Sequence, residues 1–354
     1  MVEAIKIEQN LCSHSRLKDM DFANVQFGKV YSDHMFVADY KNGQWQDFRI
    51  EPYDLLHFSP GAAILHYAQS VFEGLKAYKN DKDDVLIFRP EMNLKRLNIS
   101  AERLCIPQIP EEIFMSGLIE LLNIDKGWVP STPGTALYIR PFIFATDEYI
   151  GIRPSENYKF IIFTCPVGAY YAHPVKVKIE THYTRAVEGG TGFAKAAGNY
   201  AASLYPARLA QKNGYDQLIW TDGKTHEYIE ESGTMNVMFI IDDVLVTPLT
   251  GDSVLRGITR DSVLTLARDW GMKVDERRLS VVEVVEAIKA GKLQEAFGTG
   301  TAATIAHIDT ISYKDIDYKL PEVSSRKFSI KVNQALNAIK TGAQEDKHNW
   351  LVRL

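Results

Sequence analysis

One lysine is placed where an amine could act as a nucleophile. Lys195 lies in the stretch EGGTGFAKAAGNYAASL, residues 188–204, among Gly, Ala, Phe and Thr and with no other cation in the stretch. An ammonium among closely packed apolar groups is poorly solvated, so its pKa falls and the free amine required for Schiff-base chemistry becomes accessible near neutral pH. The alternative is a solvated loop lysine, and these residues alone do not decide between the two.

Two adjacent acids form a second candidate. Glu230 and Glu231 end the β-like segment HEYIEESGTMN, and neighbours on a strand point to opposite faces, so one of the two could be buried and the other solvated. A buried glutamate requires a partner, and a protonated pyridine nitrogen is one that a carboxylate could keep cationic. The alternative is a pair of solvated edge-strand charges, because most glutamates are surface groups.

Two glycine-containing segments could hold a phosphorylated ligand. Gly257–Arg260 places backbone N–H groups at a predicted helix start, where the helix dipole favours an anion. The loop GTGTA, residues 298–302, offers further N–H and hydroxyl donors. The GTGTAA run also fits the G-x-G-x-x-A dinucleotide pattern, but the following TIAHIDTISY is β-rich and no βαβ unit surrounds it, which argues against a Rossmann fold.

Other catalytic classes gain no support from the sequence. The chain has no G-x-S-x-G or H-E-x-x-H motif, and its nine histidines show no ligand spacing, so no metal site is expected. The three cysteines, Cys12, Cys105 and Cys165, form neither a disulfide framework nor a zinc pattern, which fits a reducing cytoplasm.

Composition indicates an ordinary soluble protein. The 354 residues predict about two domains, and a hydrophobic content of 45% with 24% charged residues is typical of globular chains. A net charge of −5 with dispersed Lys and Arg argues against nucleic-acid binding. The N-terminal MVEAIKIEQN lacks a signal-peptide pattern, and no window approaches the roughly 20 apolar residues of a membrane span, so a cytoplasmic location is expected.

The first half of the chain predicts an antiparallel sheet with flanking helices, which is an α+β unit. β-formers alternate with polar residues over 27–40, and Asn42-Gly43 marks a hairpin turn. Helical spacing of apolar residues alternates with β-rich runs over the rest of this half. The further predicted elements are a short helix in SPGAAILHYAQS, a strand at 75–78, the strand VLIFRP, a helix over 91–104 carrying Arg96, a helix over 110–126, and strands in TALYIRPFIFAT and YKFIIFTCPVG.

The second half begins after a segment without helical period, GAYYAHPVKVKIET. We expect this segment to connect two domains, placed at 1–168 and 182–354 with the linker at 169–181. The elements predicted after Lys195 are a helix ending near Gly214, hairpins about Asp222-Gly223 and Asp242-Asp243, a helix from near Thr259 to Gly271, the helix VVEVVEAIKAG, a strand EAF, and a C-terminal helix over 325–341.

Seven ordered motifs carry a resemblance that spans Phe27 to Asn349. They are HYAQSVFEGLKAY, IFRPEMNLKRL, LYIRPF, FAKAAGNYAASL, IEESGTMNVMF, LRGITRD and FGTGTAA. In this order they closely resemble the branched-chain amino acid aminotransferases of the fold-type IV pyridoxal phosphate enzymes. The resemblance implies a two-domain α+β architecture similar to that of D-amino acid aminotransferase.

The same resemblance implies pyridoxal 5'-phosphate as cofactor. Lys195 would form the Schiff base, Tyr200 would contact the phenolic oxygen of the cofactor, and Glu231 would pair with its pyridine nitrogen, leaving Glu230 solvated. A guanidinium and helix-start amides suit a phosphate dianion. The implied phosphate cradle comprises Arg96, the backbone of Ile258 and Thr259, Thr299 and Thr301, with Arg185 as a further residue nearby.

For substrates, the resemblance implies branched-chain amino acids with their 2-oxo acids, and glutamate with 2-oxoglutarate. Aromatic walls would bury an aliphatic side chain, and Arg140 with tyrosine hydroxyls would meet the second carboxylate of glutamate. The backbone of Thr301 and Ala302 would bind the substrate carboxylate. The implied pocket walls are Phe27, Tyr67, Phe72, Tyr138 and Tyr170.

Two local features extend the resemblance. The segment DEYIGIRP is similar to a family loop that reaches the pocket of the neighbouring subunit, so a homodimer is implied with Ile150 and Ile152 as contacts. Ala303 and Ala306 stand where some animal members carry a redox-sensitive C-x-x-C. A bacterial-type chain without a thiol switch is therefore expected.

The expected reaction is reversible, ping-pong amino transfer between leucine, isoleucine or valine and 2-oxoglutarate, with Lys195 moving the proton of the substrate α-carbon. Two other fold-type IV activities, D-amino acid aminotransferase and aminodeoxychorismate lyase, share the lysine and the cradle but differ in pocket residues. A cofactor-free binding protein on the same fold is the alternative from a different class. The sequence ranks neither the individual substrates nor the direction of flux.

Overall fold

The chain passes four times between two units of structure. The structure is a computed structural model that describes residues 5–168, 170–171 and 173–354. One unit comprises Met1–Tyr170, Ala194–Gly198 and Ala338–Leu354, and the other comprises Tyr171–Phe193 and Asn199–Asn337. Lys195 thus belongs to a short stretch of the first unit whose flanking residues belong to the second.

Strands build one sheet in each unit and are numbered here in chain order. The described residues form β1 (Glu8–Gln9), β2 (His34–Lys41), β3 (Gln44–Pro52), β4 (Ser70–Phe72), β5 (Leu75–Lys79), β6 (Val85–Phe88), β7 (Ala136–Ala145), β8 (Tyr158–Val167), β9 (Val175–Ile179), β10 (Gln217–Thr221), β11 (Tyr228–Ser232), β12 (Met235–Ile241), β13 (Val244–Thr247), β14 (Val274–Glu276), β15 (Leu279–Ser280), β16 (Leu293–Gly300), β17 (Thr304–Tyr313), β18 (Ile316–Lys319) and β19 (Leu351–Arg353).

Helices are numbered in the same way. None of the helices formed by the described residues combines the length and the apolar character that a bilayer crossing requires. The α-helices are α1 (Ala63–Tyr67), α2 (Pro90–Arg103), α3 (Glu111–Ile124), α4 (Ala197–Lys212), α5 (Ile258–Asp269), α6 (Val281–Lys289) and α7 (Phe328–Lys340), and short 3-10 turns occur at Leu17–Asp19, Phe22–Asn24, Lys126–Trp128 and Val323–Ser325.

The sheet of the first unit presents two different faces. Its strand order is β1-β3-β2-β8-β7-β5-β6-β19, with β4 beside β7. On β7, Leu137 and Ile139 are fully buried in a core to which α2 and α3 contribute. The alternate residues Tyr138 and Arg140 point to the opposite face, where Lys76 is the cross-strand neighbour of Tyr138. This second face carries polar and aromatic side chains of the candidate site.

Helix α2 supplies polar groups as well as apolar ones to the interior of the first unit. It begins with Pro90, whose fixed φ suits the first helical position, and Leu97 lies on its buried side. Asn93, Arg96 and Ser100 of the same helix are buried too. Buried polar side chains need hydrogen-bond partners, and the partners of these three define part of the site.

The sheet of the second unit contains a closed ring of strands. Its order is β14-β13-β12-β16-β17-β9-β10-β11-β15, with β18 beside β17, and β11 also pairs with β12. The extra pairing joins β12, β16, β17, β9, β10 and β11 in a ring. Consecutive strands of this ring carry Glu231, Asn236 and Thr299.

Most predicted elements are confirmed, with differences at their ends. The N-terminal hairpin is formed by β2 and β3, but it begins at His34 because residues 27–29 form a turn in which Gly28 has φ +70°. The GTGTAA run lies in the end of β16 and the turn to antiparallel β17. It therefore does not open a helix, which confirms the argument against a dinucleotide-binding βαβ unit.

The predicted linker contains a core strand, β9. Val175 and Val177 of β9 are fully buried, and the strand pairs in parallel with β10 and β17. Residues 169 and 172 of the linker, and residues 1–4 of the first predicted domain, lie outside the described residues. The boundaries 1–168 and 182–354 stay a prediction, whereas the two units assign Ala194–Gly198 and Ala338–Leu354 to the N-terminal part.

Candidate active site

The backbone of Lys195 is fixed from two elements of the first unit. Its N–H donates to Ser100 Oγ of α2 at 2.9 Å, and its carbonyl accepts from the N–H of Phe72 at 3.1 Å. The next residue, Ala196, forms a bridge with Val71 of β4. A lysine held at its own peptide group can present its amine in a defined direction, as a nucleophile requires.

The ring of Phe72 lies beside two cationic side chains. Lys195 Nζ is 4.9 Å from the ring centroid, and Arg140 Cζ is 4.6 Å from it. Arg140 Nη2 also donates to Tyr138 Oη at 3.0 Å, whereas its buried Nε has no hydrogen-bond partner among the described residues. A carboxylate ligand could accept a hydrogen bond from this Nε–H.

Aromatic side chains extend this cluster. Phe27 packs edge-to-face on Tyr138, with ring centroids 5.0 Å apart, and on Tyr170, with centroids 5.3 Å apart. Gly74 permits the arrangement, because a Cβ there would lie only 2.1 Å from Tyr138 Oη. The first unit therefore brings together five of the predicted pocket residues with Lys195, namely Phe27, Phe72, Tyr138, Arg140 and Tyr170.

Glu73 is a fully buried carboxylate of the first unit that sequence reasoning did not single out. Its Oε1 accepts from Arg96 Nε at 2.6 Å, and its Oε2 accepts from Arg96 Nη2 at 2.8 Å and from Asn93 Nδ2 at 2.7 Å. Burial alone would raise the pKa of Glu73, but attraction to Arg96 and Lys195 holds it below its ordinary value. An acid in the otherwise apolar run SVFEGL was the signal available, since such a charge needs a buried partner.

In the second unit, Glu231 is held by neighbours on three segments. Its side chain is buried, Oε1 accepts from the N–H of Leu255 at 2.7 Å, and Oε2 lies 3.3 Å from Arg185 Nε. Asn236 Nδ2 lies 3.5 Å from Oε1. The structure thus places Arg185, predicted as a further residue of the phosphate cradle, in an ion pair with Glu231.

The expectation that Glu230 is solvated is wrong. Only 8% of Glu230 is exposed, and Ser253 Oγ donates to its Oε1. The strand β11 is covered on both faces, so alternate side chains find no solvent on either side. Burial raises the pKa of Glu230, with Ser253 and Arg185 acting in the opposite direction.

A second group of the same unit suits an anion. No side chain of the described residues caps α5, which starts at Ile258 after Gly257. A Cβ at Gly257 would lie 1.9 Å from Asn236 Oδ1, and Asn236 is the cross-strand partner of Thr299. Thr299 Oγ1 is buried without a hydrogen-bond partner among the described residues. A helix start next to an unused hydroxyl is chemistry that suits a phosphate.

The remaining predicted residues occupy less constrained positions. Tyr200 is half-buried near the start of α4, and Thr301 with Ala302 lies in the half-buried turn between β16 and β17. Tyr67 ends α1 with 40% of its surface exposed and its ring near His66. Ile150 and Ile152 are 71% and 94% exposed. Their predicted roles stay predictions.

Metal-binding side chains are not clustered in the described part of the chain. Over residues 5–168, 170–171 and 173–354, no group of three or more His, Cys, Asp and Glu side chains is arranged to hold a metal ion.

Comparison with protein families gives one match over most of the chain. The family model described as amino-transferase class IV matches residues 70–311. A relative from Bacillus subtilis (strain 168), named branched-chain-amino-acid aminotransferase 2, is 47% identical over 330 residues, which are 92% of this chain and 91% of the relative.

The solved structures that are similar to this chain include branched-chain amino acid aminotransferases. The branched-chain amino acid aminotransferase from Escherichia coli is 27% identical, with a TM-score of 0.72 over 90% of this chain and 98% of that one. The T.th. branched-chain amino acid aminotransferase with pyridoxamine 5'-phosphate is 25% identical, with a TM-score of 0.73 over 90% of this chain and 97% of that one.

Proposed function

Because this chain belongs to the class IV aminotransferases and is therefore a transferase, we propose that it moves an amino group between branched-chain L-amino acids and 2-oxoglutarate. Leucine, isoleucine and valine are the proposed amino donors. The proposed acceptor, 2-oxoglutarate, becomes glutamate. The names of the Bacillus subtilis relative and of the Escherichia coli structure support this substrate class.

The main observation in support of this proposal is that two cationic side chains lie beside the ring of Phe72. The primary amine of Lys195 and the guanidinium of Arg140 both lie beside this ring, and the Nε of Arg140 has no hydrogen-bond partner in the part of the chain that the structure describes. The reaction needs an amine that exchanges with the substrate amine, and it needs a cation that accepts the second carboxylate of glutamate in an otherwise aromatic pocket. Lys195 and Arg140 meet these two requirements.

Pyridoxal 5'-phosphate is the proposed cofactor, and the residues present fit it. The buried hydroxyl of Thr299 beside the start of α5 suits its phosphate, and the buried carboxylate of Glu231 suits its ring nitrogen. When bound, the cofactor supplies an aldehyde that joins an amine as a Schiff base and a protonated ring that accepts an electron pair. The pyridoxamine 5'-phosphate in the T.th. structure supports the assignment.

The roles proposed for this chain's own groups follow from their chemistry. Lys195 anchors the cofactor through Nζ and, once displaced by the substrate amine, takes the proton from the substrate α-carbon. Glu231 keeps a ring nitrogen cationic, and Tyr200 offers its hydroxyl to the phenolic oxygen. In the proposed scheme the donor gives up its amino group and leaves as a 2-oxo acid before 2-oxoglutarate binds, so the transfer would consist of two half-reactions, which is a ping-pong scheme.

The proposed binding groups fall into two sets. Arg96, the backbone of Ile258 and Thr259, Thr299 and Thr301 bind phosphate, and Arg185 supports Glu231 in addition to its predicted place in the cradle. The aromatic group Phe27, Phe72, Tyr138 and Tyr170, with Tyr67, covers the aliphatic side chain, while the backbone of Thr301 and Ala302 binds the α-carboxylate.

We further propose a cytoplasmic homodimer. The strong exposure of Ile150 and Ile152 supports a contact with a second copy, because large apolar side chains exposed in one loop favour burial. Cys12, Cys105 and Cys165 are free thiols, which suits a reducing compartment.

The test is amino transfer by the purified protein with pyridoxal 5'-phosphate. We expect turnover of L-leucine with 2-oxoglutarate, and a loss of at least about 10³-fold in Lys195→Ala, since the nucleophile and the base are the same group. Lys212→Ala, which removes an exposed lysine of α4, is the matched control and should keep the parent rate. Parent-like activity of Lys195→Ala would exclude the assigned role.

The same assay separates related activities. L-leucine, D-alanine and aminodeoxychorismate are offered separately, and exclusive turnover of either of the last two would overturn the proposed substrate class. A protein that binds no pyridoxal 5'-phosphate and yields no borohydride-trapped adduct would instead be a binding protein on this fold.

A further inference from the structure

Gly74 lies on the polar and aromatic face of the sheet in the first unit. The pairings of β4 and of β5 with β7 share one register, which places Gly74 opposite Arg140. Alternate residues of a strand share a face, so Gly74 stands between Phe72 and Lys76 on the face that carries Arg140. A glycine leaves a gap here, where any other residue would place a side chain.

The space above Gly74 is filled by Tyr138. A Cβ built on Gly74 would lie 2.1 Å from Tyr138 Oη and 2.8 Å from Tyr138 Cζ, which is well inside van der Waals contact. Gly74 is not one of the glycines with positive φ, so its backbone conformation is open to other residues. The missing side chain therefore makes room for the tyrosine and is not required by the path of the chain.

The peptide of Gly74 cannot move away from Tyr138 without losing hydrogen bonds. Its N–H donates to Glu73 Oε2 at 3.1 Å, and its carbonyl accepts from Asn93 Nδ2 at 3.2 Å. The N–H of Glu73 donates to the carbonyl of Pro141 at 2.7 Å. Glu73 and Asn93 are buried, so no water replaces a bond that is broken. A side chain at position 74 would therefore displace Tyr138 and not the backbone.

Tyr138 in turn orients Arg140. Its hydroxyl accepts from Arg140 Nη2 at 3.0 Å, and Arg140 Cζ lies 5.4 Å from the centroid of its ring. Only 7% of Tyr138 is exposed, and Phe27 packs edge-to-face on the same ring. A hydroxyl displaced by about 1 Å would leave hydrogen-bond range of the guanidinium unless Arg140 moved with it.

We propose that Gly74 is a specificity-determining residue of the transfer reaction, because its missing side chain gives the Tyr138 hydroxyl the position from which it orients Arg140 for a second carboxylate. The inference rests on the proposed function, which assigns that carboxylate to glutamate and 2-oxoglutarate. An aliphatic substrate side chain makes no use of an oriented guanidinium. Gly74 therefore acts on dicarboxylates selectively.

A glycine required by packing alone is the competing explanation, because close-packed interiors resist an added methyl group. Packing alone predicts that a side chain at position 74 lowers stability and affects all amino donors alike. L-glutamate and L-leucine distinguish the two explanations, since their side chains are similar in size and only that of glutamate carries a carboxylate.

The experiment measures the second-order rate constant of the half-reaction with each of these two amino donors, for protein loaded with pyridoxal 5'-phosphate. We expect the ratio of the constant for L-glutamate to that for L-leucine to fall about 10-fold in Gly74→Ala, because a misplacement of about 1 Å at a charged contact has an effect of at least this order. A Gly74→Ala ratio equal to that of the parent overturns the proposal.

Gly251→Ala is the matched control. An added Cβ at Gly251 would meet nothing within 4 Å, and Gly251 does not have a positive φ. It should keep the parent ratio, so a fall shared by Gly251→Ala and Gly74→Ala would also count against the proposal.

Tyr138→Phe tests the route through the hydroxyl. It removes both the atom nearest to the built Cβ and the acceptor of the Arg140 hydrogen bond. Gly74→Ala added to Tyr138→Phe should therefore change the ratio by less than about twofold, since two substitutions that act on one contact are not additive. Additive effects would exclude this route.

Unfolding in urea covers the case in which Gly74→Ala is too unstable to assay, and it does not depend on amino transfer. We expect the double variant, Gly74→Ala with Tyr138→Phe, to be at least as stable as Gly74→Ala, because the closest clash is gone. A double variant that is less stable than Gly74→Ala, or that does not fold although Tyr138→Phe alone does, contradicts the proposal. A parent protein that transfers neither amino group would count against the proposed function alone.

Discussion

A single aromatic ring lies beside two positive groups, Lys195 and Arg140, which would otherwise repel each other. The face of an aromatic ring is electron-rich and attracts cations, so Phe72 offsets part of this repulsion. Tyr138 accepts a hydrogen bond from Arg140, and the buried Nε of Arg140 has no partner among the described residues. Arg140 is therefore suited to a ligand with a carboxylate and contributes little to one without.

This difference can be measured with Arg140→Met. We expect the KM for 2-oxoglutarate to rise about 10- to 100-fold, because a hydrogen bond to a charged group contributes about 1.5–3 kcal/mol. The KM for L-leucine should change by less than about threefold, since an aliphatic side chain gains from an apolar wall. Steady-state kinetics with each substrate varied in turn gives both values.

Arg208→Met serves as the control for Arg140→Met, because Arg208 is an exposed residue of α4. It should leave both KM values unchanged. An equal rise of the two KM values in Arg140→Met would show that Arg140 supports the pocket generally and does not select the dicarboxylate.

At the level of residues, sequence reasoning identified groups whose chemistry is visible locally. Lys195 and the pair Glu230 and Glu231 were identified from their neighbours in the chain, and the family resemblance then selected Glu231. The burial of Glu230 was missed, because it depends on what covers each face of β11. Glu73 was missed for a related reason. Its partner Arg96 lies 23 residues away, and no local pattern relates the two.

At the level of elements, sequence periodicity predicted the helices and the strands of the antiparallel hairpins well. The helix over 91–104 matches α2, Pro90–Arg103, but its buried face contains Asn93, Arg96 and Ser100 as well as Leu94 and Leu97, so apolar spacing predicted the helix and only part of its buried face. The strand β9 was missed, since Lys176 and Lys178 alternate with its buried valines and its pairing is parallel, with β10 and β17. A strand that pairs in parallel is not joined to its partner by a tight turn, so no turn motif next to it in the sequence identifies that partner.

The last residue of α7, Lys340, lies in an unusual environment for a lysine. Lys340 is buried, with Nζ 5.2 Å from the ring centroid of Phe88 and 5.9 Å from that of Tyr78. Burial lowers the pKa of Lys340 to about 7, and the charge of Lys76 acts in the same direction. The unfolded chain, with an ordinary lysine, therefore binds this proton more tightly than the folded protein does.

The sign of the effect on stability follows from this difference. Stability rises with pH between about 7 and the ordinary lysine value, and the cost of burying Lys340 is largest below pH 7. Lys340→Met should stabilise the protein by roughly 2–4 kcal/mol more at pH 6 than at pH 9.5, because lowering a pKa by one costs about 1.4 kcal/mol. Urea unfolding at the two pH values provides the measurement.

Lys347→Met removes an exposed lysine from the C-terminal segment and controls for the change in net charge. Its effect on stability should be small at both pH values. A gain from Lys340→Met that is independent of pH would mean that the improvement comes from packing alone.

At the level of the whole molecule, the exposed apolar residues support the proposed homodimer. Ile150 and Ile152 of one loop are largely exposed, and Leu55 and Leu65 of the same unit are 79% and 60% exposed. Single exposed hydrophobics are common, but several in one unit favour association. The sequence suggested this association only through the family resemblance, because no property of one chain alone specifies a second copy.

We expect the double variant Ile150→Asp with Ile152→Asp to shift the protein from dimer to monomer in sedimentation velocity, because two carboxylates cannot enter an apolar contact without a large desolvation cost. Ile316→Asp is the control, since Ile316 is 56% exposed on β18 of the other unit. A parent protein that sediments as a monomer would contradict the proposed dimer, and an unchanged dimer in the double variant would exclude this loop from the contact.

The order of the units along the chain has a consequence for synthesis. The N-terminal unit contains Ala194–Gly198 with Lys195, and it also contains Ala338–Leu354, whose strand β19 pairs with β6 at the edge of its sheet. Domains commonly fold as they emerge from the ribosome, the N-terminal one first. Here the N-terminal unit cannot be completed before the other, because its lysine peptide is made only after Tyr171–Phe193 of the second unit, and its edge strand β19 only after Asn199–Asn337.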